Sequence, residues 1–409
     1  MTWGLILDCV FRFFFVTRYL RNVLTNGMSD RKTPPTPLAL EPKLPALEPK
    51  LTAKHIPVIH DPLAVTDMML HHLTHGNCPN YRLVEYIWID ADGGLRSKTR
   101  VLKQLEMPSI WNFDGSSTGQ AAGHDSEIEL VPVKYVHDPF MGNDHLLALC
   151  ECQKAGAPAV NNYRHAAHQV FTEHQAVKPW YGIEQEYTVM KPDNERPIGW
   201  PDEGHPVRQG PYYCGVGAEK CFGRKLAEVH LLLCLDAGLT MSGKNGEVMP
   251  GQWEFQVGPC EGINSGDELW LARYILIRVA EMMGLIVSFH PKPLSGDWNG
   301  SGLHTNYSTE KTRKFGGLTE IHRIVRNMSR LHAEHIDEYG DNSQRLTGLH
   351  ETSDLSTFSA GVADRGASIR IPSHVEREGL GYFEDRRPAS SADPYRVTLR
   401  LLQTTLIED

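Results

Sequence analysis

Short runs in which apolar and polar residues alternate dominate the chain between residues 84 and 152. Val84–Asp90 is rich in β-branched and aromatic residues and ends at the turn Asp92-Gly-Gly, which predicts a β-strand. Two further runs, Ile128–Val133 and His145–Cys152, have the same character. The pattern therefore predicts a small β-rich domain in this part of the chain.

After residue 180, longer helical patterns alternate with strands. Apolar residues spaced by three and four positions predict helices over residues 266–283 and 318–336. Asn264 and Ser265 stand where a cap of the first helix is expected, and Gly284 follows its end. The next five residues, 285–289, predict a strand. The whole pattern predicts an α+β protein in which a larger mixed domain follows the small one.

The first 58 residues differ in character from the rest. Residues 1–27 contain three arginines and one acidic residue, which favours an organelle presequence; alternatively, Met28 is the true start. Their apolar stretch, interrupted by Asp8 and Arg12, is shorter than the roughly 18 residues of a membrane-spanning helix, so none is predicted. A proline-rich segment with a doubled Ala-Leu-Glu-Pro-Lys-Leu follows, which predicts a stiff linker. We expect a cytoplasmic or mitochondrial protein with a linker at 28–58 and domains at 59–165 and 166–409.

Composition narrows the class of protein further. The chain has 409 residues and a formal net charge of -9, from 41 lysines and arginines against 50 acidic residues. Its apolar content is that of a globular protein, which excludes a disordered or collagen-like chain. Eight cysteines are too dilute for a disulfide scaffold, so we predict reduced, mostly buried thiols. An acidic chain without a long basic run favours small-molecule partners, with no nucleic acid and no membrane.

Four glutamates occur in surroundings that favour burial. Glu184 and Glu186 lie in the strand-like segment Tyr181–Val189, where alternation places both on one face. Taken alone, this pair is as well explained by a solvated strand face. Glu247 and Glu254 lie beside bulky apolar residues, and a buried carboxylate must be paired or bound to a metal ion. The four acids together predict a site for a hard cation.

A further strand-like segment supplies an imidazole. His304, Asn306 and Ser308 alternate onto one of its faces, and Glu384 lies in an aromatic context elsewhere. A single histidine is usually structural, but carboxylates with one imidazole suit Mg²⁺ or Mn²⁺ better than structural zinc. The chain lacks the GxxxxGK[ST] loop, a strand-GxGxxG-helix unit and the kinase motifs. A nucleotide would have to be held in another way.

Arginines beside small or apolar residues are the counterpart of these acids. Their planar guanidinium groups bind carboxylates and phosphates at two points, although each is equally suited to a salt bridge within the protein. The candidates are Arg345, Arg365, Arg370 and Arg386. Acids for cations and arginines for anions predict metal-assisted chemistry on an anionic substrate and a polyphosphate.

Together these motifs closely resemble those of glutamine synthetases of the eukaryotic type. The matching runs occur in the family's order and are Trp111–Thr118, Tyr181–Val189, Gly210–Gly217, Glu247–Pro259, Asn299–Ser308, Arg345–Ser353, Gly361–Pro372 and Tyr382–Pro388. The resemblance implies a small β-grasp domain followed by a catalytic domain with flanking helices, whose antiparallel sheet forms a funnel. It also implies decamers of two pentameric rings, with each site built between one subunit's catalytic domain and its neighbour's small domain.

The resemblance also implies a reaction. Glutamate and ATP form γ-glutamyl phosphate, and ammonia converts this intermediate into glutamine, with Mg²⁺ or Mn²⁺ at two to three positions per site. The family's metal ligands fall on Glu186, Glu247 and Glu254 for the ion facing the γ-carboxylate, and on Glu184, His304 and Glu384 for the ion bridging the phosphates. The glutamate-binding residues are Asn299, Gly300, Arg345 and Arg386, and the ATP-binding residues are Asn306, Ser308, Arg365 and Arg370.

Three residues receive catalytic roles from the resemblance. Asp114, contributed across the subunit interface, is the base for ammonium, and Arg365 neutralises the migrating phosphoryl group. Glu351 belongs to a flap that closes over the intermediate and excludes water. Two alternatives remain open: a ligase that uses an alkylamine instead of ammonia, and a catalytically silent ring protein of the same fold.

Overall fold

The computed structural model describes residues 80–142, 144–193, 195–349 and 352–408. The predicted presequence and the proline-rich linker lie outside the described residues. So do the first 21 residues of the domain predicted at 59–165.

A six-stranded mixed sheet forms the small domain. Its order is β2-β1-β5-β4-β3, with β6 paired to β5; β1 and β5 are parallel and the other neighbours antiparallel. The strands predicted at 84–90, 128–133 and 145–152 are confirmed as β1, β4 and β5. The six strands are β1 (Tyr81–Ile89), β2 (Leu95–Lys103), β3 (Trp111–Asp114), β4 (Glu127–His137), β5 (Leu146–Lys154) and β6 (Ala157–Pro158).

The core of the small domain is formed by apolar side chains at every second position of its strands. Val84, Tyr86 and Trp88 share one face of β1 and are buried together with Ile128 and Leu130 of β4. A one-residue slip would turn this apolar set outward, so the hydrophobic pattern itself fixes the register.

An eight-stranded sheet forms the second domain. Its order is β12-β13-β14-β11-β7-β9-β8, with β10 also paired to β7; only β12 and β13 are parallel. The strand predicted at 285–289 is confirmed as β10. The eight strands are β7 (Trp180–Met190), β8 (Met241–Gly246), β9 (Gln252–Glu261), β10 (Ile286–Ser288), β11 (Leu303–Ser308), β12 (Ala360–Val362), β13 (Ile369–Ile371) and β14 (Phe383–Asp385).

Helices flank this sheet. The longest, α3, is buried along most of its length and packs against α2, α7 and β9. None of the helices in the described ranges is long and apolar enough to cross a membrane. The helices are α1 (Tyr163–Glu173), α2 (Arg224–Asp236), α3 (Asn264–Met282), α4 (Gly317–Arg330), α5 (His332–Glu338), α6 (Ser373–Glu378) and α7 (Pro394–Thr405), with 3₁₀ turns at Gly115–Thr118 and Gln175–Val177.

Two details of the helix predictions were wrong. Ile263 occupies the N-cap position of α3 and makes no side-chain cap; Asn264 instead accepts a hydrogen bond from Lys134 of β4 at 3.3 Å. The helix predicted at 318–336 is two helices, since the backbone at Leu331 leaves the helical region with φ of -105° and ψ of 26°. Both α4 and α5 pack against α7, and the apolar spacing continues across the break, so the pattern cannot reveal it.

Buried ion pairs join the small sheet to the second domain. Arg164 of α1 donates from Nη1 to Glu151 of β5 at 2.8 Å, and from Nε and Nη2 to Asp267 of α3 at 2.8 and 3.0 Å. Lys134 of β4 reaches Glu268 of α3 at 3.0 Å. Because an unpaired buried charge is costly, these contacts fix the relative position of the two sheets in one chain.

The cysteine prediction is confirmed for the described residues. Cys150, Cys152, Cys234 and Cys260 are buried free thiols, Cys221 is half-buried and Cys214 is exposed.

Candidate active site

Strand pairing brings the predicted acidic residues together on one face of the larger sheet. Glu184 of β7 lies opposite His304 of β11, and Glu186 of β7 lies opposite Glu254 of β9. Glu384 of β14 completes the group from the next strand beyond β11. Like charges directly opposite one another on a sheet are destabilising unless a cation or a proton compensates them.

The ligand atoms form two clusters that could each hold a metal ion. One consists of Glu184, His304 and Glu384, and the other of Glu186, Glu254 and His304; within each, the ligand atoms lie within 4.8 Å of one another. Nδ1 of His304 is 3.7 Å from Glu184, 3.6 Å from Glu384 and 4.0 Å from Glu186. His304 therefore belongs to both clusters, whereas the resemblance assigned it to one.

Glu247 lies close to the second cluster without being a member of it. Its Oε1 accepts a hydrogen bond from Asn245 at 2.8 Å, and its charge helps to raise the pKa of Glu254. The third ligand predicted beside Glu186 and Glu254 is thus near enough to act on Glu254 electrostatically.

Burial shapes the acidity of this site. Burial, together with the negative charges of Glu184 and Glu247, raises the pKa of Glu254 to about 9. Burial also raises the pKa of Glu184, although a hydrogen bond from Asn306 and the charge of Arg386 oppose that change. Carboxylates crowded in this way are suited to a divalent cation, since oxygen ligands and one imidazole match Mg²⁺ or Mn²⁺.

We expect metal binding to release protons. Because the pKa of Glu254 is raised to about 9, this carboxyl is mostly protonated at neutral pH and must lose its proton before it can bind an ion. Calorimetric titration with Mn²⁺ in two buffers of different ionisation enthalpy should show about one proton released, and affinity should increase as pH rises toward 9. The Glu254→Gln variant should release fewer protons; heats that are independent of the buffer would contradict the prediction.

Three of the predicted arginines approach the first cluster. Arg386 donates from Nη1 to Glu384 at 2.6 Å, and Arg370 from Nη1 to the other oxygen of Glu384 at 3.3 Å. Arg345 places Nη2 3.3 Å from Nε2 of His304 and 3.0 Å from the Arg386 carbonyl oxygen. Guanidinium groups and cation ligands therefore share one site, as a substrate with both carboxylate and phosphate groups requires.

A loop at the entry to β11 carries the predicted residues Asn299 and Gly300. Asn299 is buried, and its backbone N donates to Oε1 of Gln209 at 2.7 Å. At Gly302, a Cβ atom would lie 2.4 Å from Nη2 of Arg345 and 2.7 Å from Nε2 of His304. Only glycine permits the backbone to pass so close to both side chains.

Two of the four predicted nucleotide-binding residues, Asn306 and Ser308, lie on β11. Asn306 is half-buried and donates to Glu184 at 2.8 Å, and Ser308 accepts from Nη1 of Arg313 at 2.9 Å. Arg313 also lies over the Trp180 ring, with its Cζ 4.0 Å from the ring centroid. Arg313 was not among the predicted site residues, because a single basic residue shortly after a strand does not indicate a site by itself.

The residues predicted for catalysis are placed less centrally in the single chain. Asp114 is exposed at the end of β3, and hydrogen bonds from Ser116 and Ser117 lower its pKa to about 2. Arg365 is exposed, and its carbonyl oxygen accepts from Nε of Arg386 at 3.1 Å. Glu351 lies outside the described residues.

Comparison with known proteins identifies the family. The chain matches the glutamine synthetase β-grasp domain over residues 80–155 and the glutamine synthetase catalytic domain over residues 162–316. It is 54% identical over 330 residues to a glutamine synthetase of Agaricus bisporus, an alignment that covers 79% of this chain and 93% of the relative. The chain belongs to the glutamine synthetase family. Root isozyme 1 of glutamine synthetase from Zea mays is 51% identical over 354 residues, which cover 84% of this chain and 98% of the relative.

Solved structures support the fold alone. A GmaS/ADP complex in its first conformation has a TM-score of 0.64 at 16% identity, and the match covers 82% of this chain and 80% of the GmaS chain. GmaS without ligand has a TM-score of 0.61 at 18% identity, and the match covers 80% of this chain and 77% of the GmaS chain. The predicted glutamine synthetase family, the α+β fold with a β-grasp domain and the prediction of an enzyme are confirmed. Glutamine synthetases generally use ATP and divalent metal ions, with glutamate and ammonia as the other substrates.

Proposed function

We propose that this chain ligates ammonia to the γ-carboxylate of L-glutamate at the expense of ATP, giving L-glutamine, ADP and phosphate. The observation that carries the proposal is the pair of cation-ligand clusters that share His304 and lie against Arg345 and Arg386, in a member of the glutamine synthetase family. A site of this composition suits an anionic substrate and a polyphosphate together.

The proposed reaction has two steps, because a carboxylate cannot expel oxide. In the first, a γ-carboxylate oxygen of glutamate bonds to the γ-phosphorus of ATP, and the bond from that phosphorus to the bridging oxygen of ADP breaks. In the second, ammonia attacks the carbonyl carbon of γ-glutamyl phosphate, the carbon–oxygen bond to phosphate breaks, and nitrogen loses a proton to become the amide. Water must be excluded from the intermediate, since it would hydrolyse it.

The two clusters are the proposed metal sites. Glu184, His304 and Glu384 would hold one ion, and Glu186 and Glu254 another with Glu247 nearby. When bound, Mg²⁺ or Mn²⁺ supplies positive charge that stabilises the phosphate oxygens and polarises the γ-carboxylate.

The arginines are proposed to bind the substrate anions. Arg345 and Arg386 would bind the carboxylates of glutamate, with Asn299 and Gly300 near its amino-acid end. Arg386 donates to Glu384 at 2.6 Å, so its position is already set by a group of the metal site before glutamate arrives. Pre-ordering of this kind lowers the entropy cost of substrate binding.

Arg365 and Arg370 are proposed to bind the phosphates of ATP, and Asn306 and Ser308 to line the nucleotide pocket. Arg370 donates to Glu384 at 3.3 Å, which ties a phosphate-binding residue to the first cluster. The transferring phosphoryl group would therefore meet positive charge from the arginines and from the cation site at once.

Asp114 is proposed to receive ammonium. The serine hydrogen bonds that lower its pKa to about 2 keep it ionised, so that it attracts a cation. A carboxylate of such low pKa is a poor proton acceptor, and burial beneath a neighbouring subunit would raise the pKa. The proposed role as a base thus depends on assembly into the decamer, which we also propose from the resemblance.

The test is phosphate release and glutamine formation by the purified full-length chain with ATP, Mg²⁺ and glutamate. We expect both products to depend on ammonium and to be low with methylamine or without an amine. A preference for methylamine would instead support an alkylamine ligase. No release from a correctly assembled ring would refute the ligase and leave a silent ring protein.

Two further proposals rest on sequence alone. Glu351 is proposed to shield the intermediate from water, by resemblance. A mitochondrial location is proposed from the arginine-rich residues 1–27, with the cytoplasm as the alternative.

A further inference from the structure

Strand β9 presents three polar side chains to the active-site face. Gln252, Glu254 and Gln256 alternate with Trp253 and Phe255, whose rings are buried in the core on the opposite side. Glu254 belongs to a cation cluster, but the two glutamines on either side of it have received no role. The side chains of these two glutamines form hydrogen bonds with different parts of the site.

Gln252 bonds to the loop that carries the predicted glutamate-binding residues. It is 1% exposed, and its Nε2 donates to the Gly300 carbonyl oxygen at 2.6 Å and to Oγ of Ser301 at 3.1 Å. Its Oε1 accepts from Nδ2 of Asn299 at 3.1 Å. One side-chain amide thus holds three consecutive loop residues.

The chemistry of these contacts suits an amide. Gln252 acts as a donor at one end and as an acceptor at the other, which an amide does in its neutral form at any pH, whereas a carboxyl of the same length does so only when protonated. A flipped amide would turn Oε1 toward the Gly300 carbonyl oxygen, so the partners fix its orientation. At the far end of the loop, Gly302 N donates to Glu186 at 2.6 Å and Glu186 N donates to Gly302 O at 3.1 Å.

Gln256 turns instead toward the metal site. Its Nε2 donates to Oε1 of Glu254 and, at 3.1 Å, to Oδ1 of Asn245. Asn245 in turn donates to Glu247 at 2.8 Å. The two glutamines of β9 therefore support different halves of the site.

We propose that Gln252 is a positioning residue that holds Asn299 and Gly300 for the amino-acid end of L-glutamate. The inference rests on the proposed function and adds a residue through which β9 controls affinity for glutamate separately from affinity for metal. Gln252 itself is too deeply buried to act as a catalytic group, so its effect must pass through the loop.

The experiment compares the Gln252→Met and Gln256→Met variants of the full chain. Methionine keeps the side-chain length and removes the amide. Calorimetry with L-glutamate at saturating Mn²⁺ should show that Gln252→Met binds glutamate about 10-fold more weakly than the wild type or worse, because the buried partners of the amide are left unsatisfied. The affinity of this variant for Mn²⁺ should stay within about 3-fold of the wild-type value. Gln256→Met should show the reverse, with Mn²⁺ affinity reduced more than glutamate affinity.

Three results would overturn the inference: unchanged glutamate affinity in Gln252→Met, an equal loss of Mn²⁺ affinity in both variants, or no glutamate binding by the wild type. A Gln252→Leu variant, which removes both the donor and the acceptor, provides a second test and should also weaken glutamate binding. If neither Gln252 variant folds while Gln256→Met does, Gln252 is structural and the inference fails. A wild type that binds glutamate but forms no glutamine would refute the proposed function alone.

Discussion

Replacing Glu254 by alanine is expected to reduce glutamine formation at least about 1,000-fold, because the second cation cluster loses one of its two carboxylates. The fold should survive. Burial and the charges of Glu184 and Glu247 raise the pKa of Glu254 to about 9, so the ionised carboxylate does not stabilise the metal-free protein. The measurements are turnover at saturating substrates and the thermal unfolding midpoint without metal.

Glu281 provides the matched control for this change. It lies on α3 with its side chain 67% exposed and pairs only with Arg278 of the same helix among its ion-pair partners in the described residues. Glu281→Ala should leave turnover within about twofold, since exposed ion pairs contribute little. Unchanged turnover in Glu254→Ala would show that the assigned metal cluster is not used in the reaction.

Replacing Arg387 by methionine is expected to lower the free energy of unfolding by about 3–5 kcal/mol. Arg387 is 1% exposed and donates to both oxygens of Asp385, at 2.9 and 2.7 Å. Tyr339 also donates to Asp385 at 2.7 Å, and His332 lies 3.0 Å from Arg387. Methionine would leave the buried Asp385 carboxylate without its cation; urea unfolding measures the loss.

The control for the second change is an exposed ion pair of the same kind. Arg396 pairs with Glu338 at 2.5 Å, but the two side chains are 31% and 38% exposed. Arg396→Met should therefore cost no more than about 1 kcal/mol. Similar losses in both variants would show that burial of the Arg387 pair has no special cost.

Local periodicity predicted which side chains share a face. Alternation along β7 put Glu184 and Glu186 together, and the strands of the small domain were recognised from the same signal. The helix break at Leu331 was not predicted, because the apolar stripe continues across it. Backbone direction at a single residue depends on its tertiary contacts, which spacing in the sequence does not encode.

The chemistry of the site was also predictable in kind. Acids among apolar residues indicated a hard cation, and arginines beside small or apolar residues indicated an anion. The role of Gln252 was not predictable, because a glutamine between apolar residues gives no sign of its partners, and those partners are 47 to 49 residues away. Hydrogen bonds at such separations exist only once β9 and β11 lie on either side of β7.

The sequence by itself determined the residue types, the faces on which they lie and, through its motifs, the glutamine synthetase family. Tertiary structure alone decided which faces meet. The register that sets His304 opposite Glu184 and Glu254 opposite Glu186 places one imidazole between two groups of carboxylates. That register arises from the packing of several strands against a common core, a cooperative property that no single segment carries.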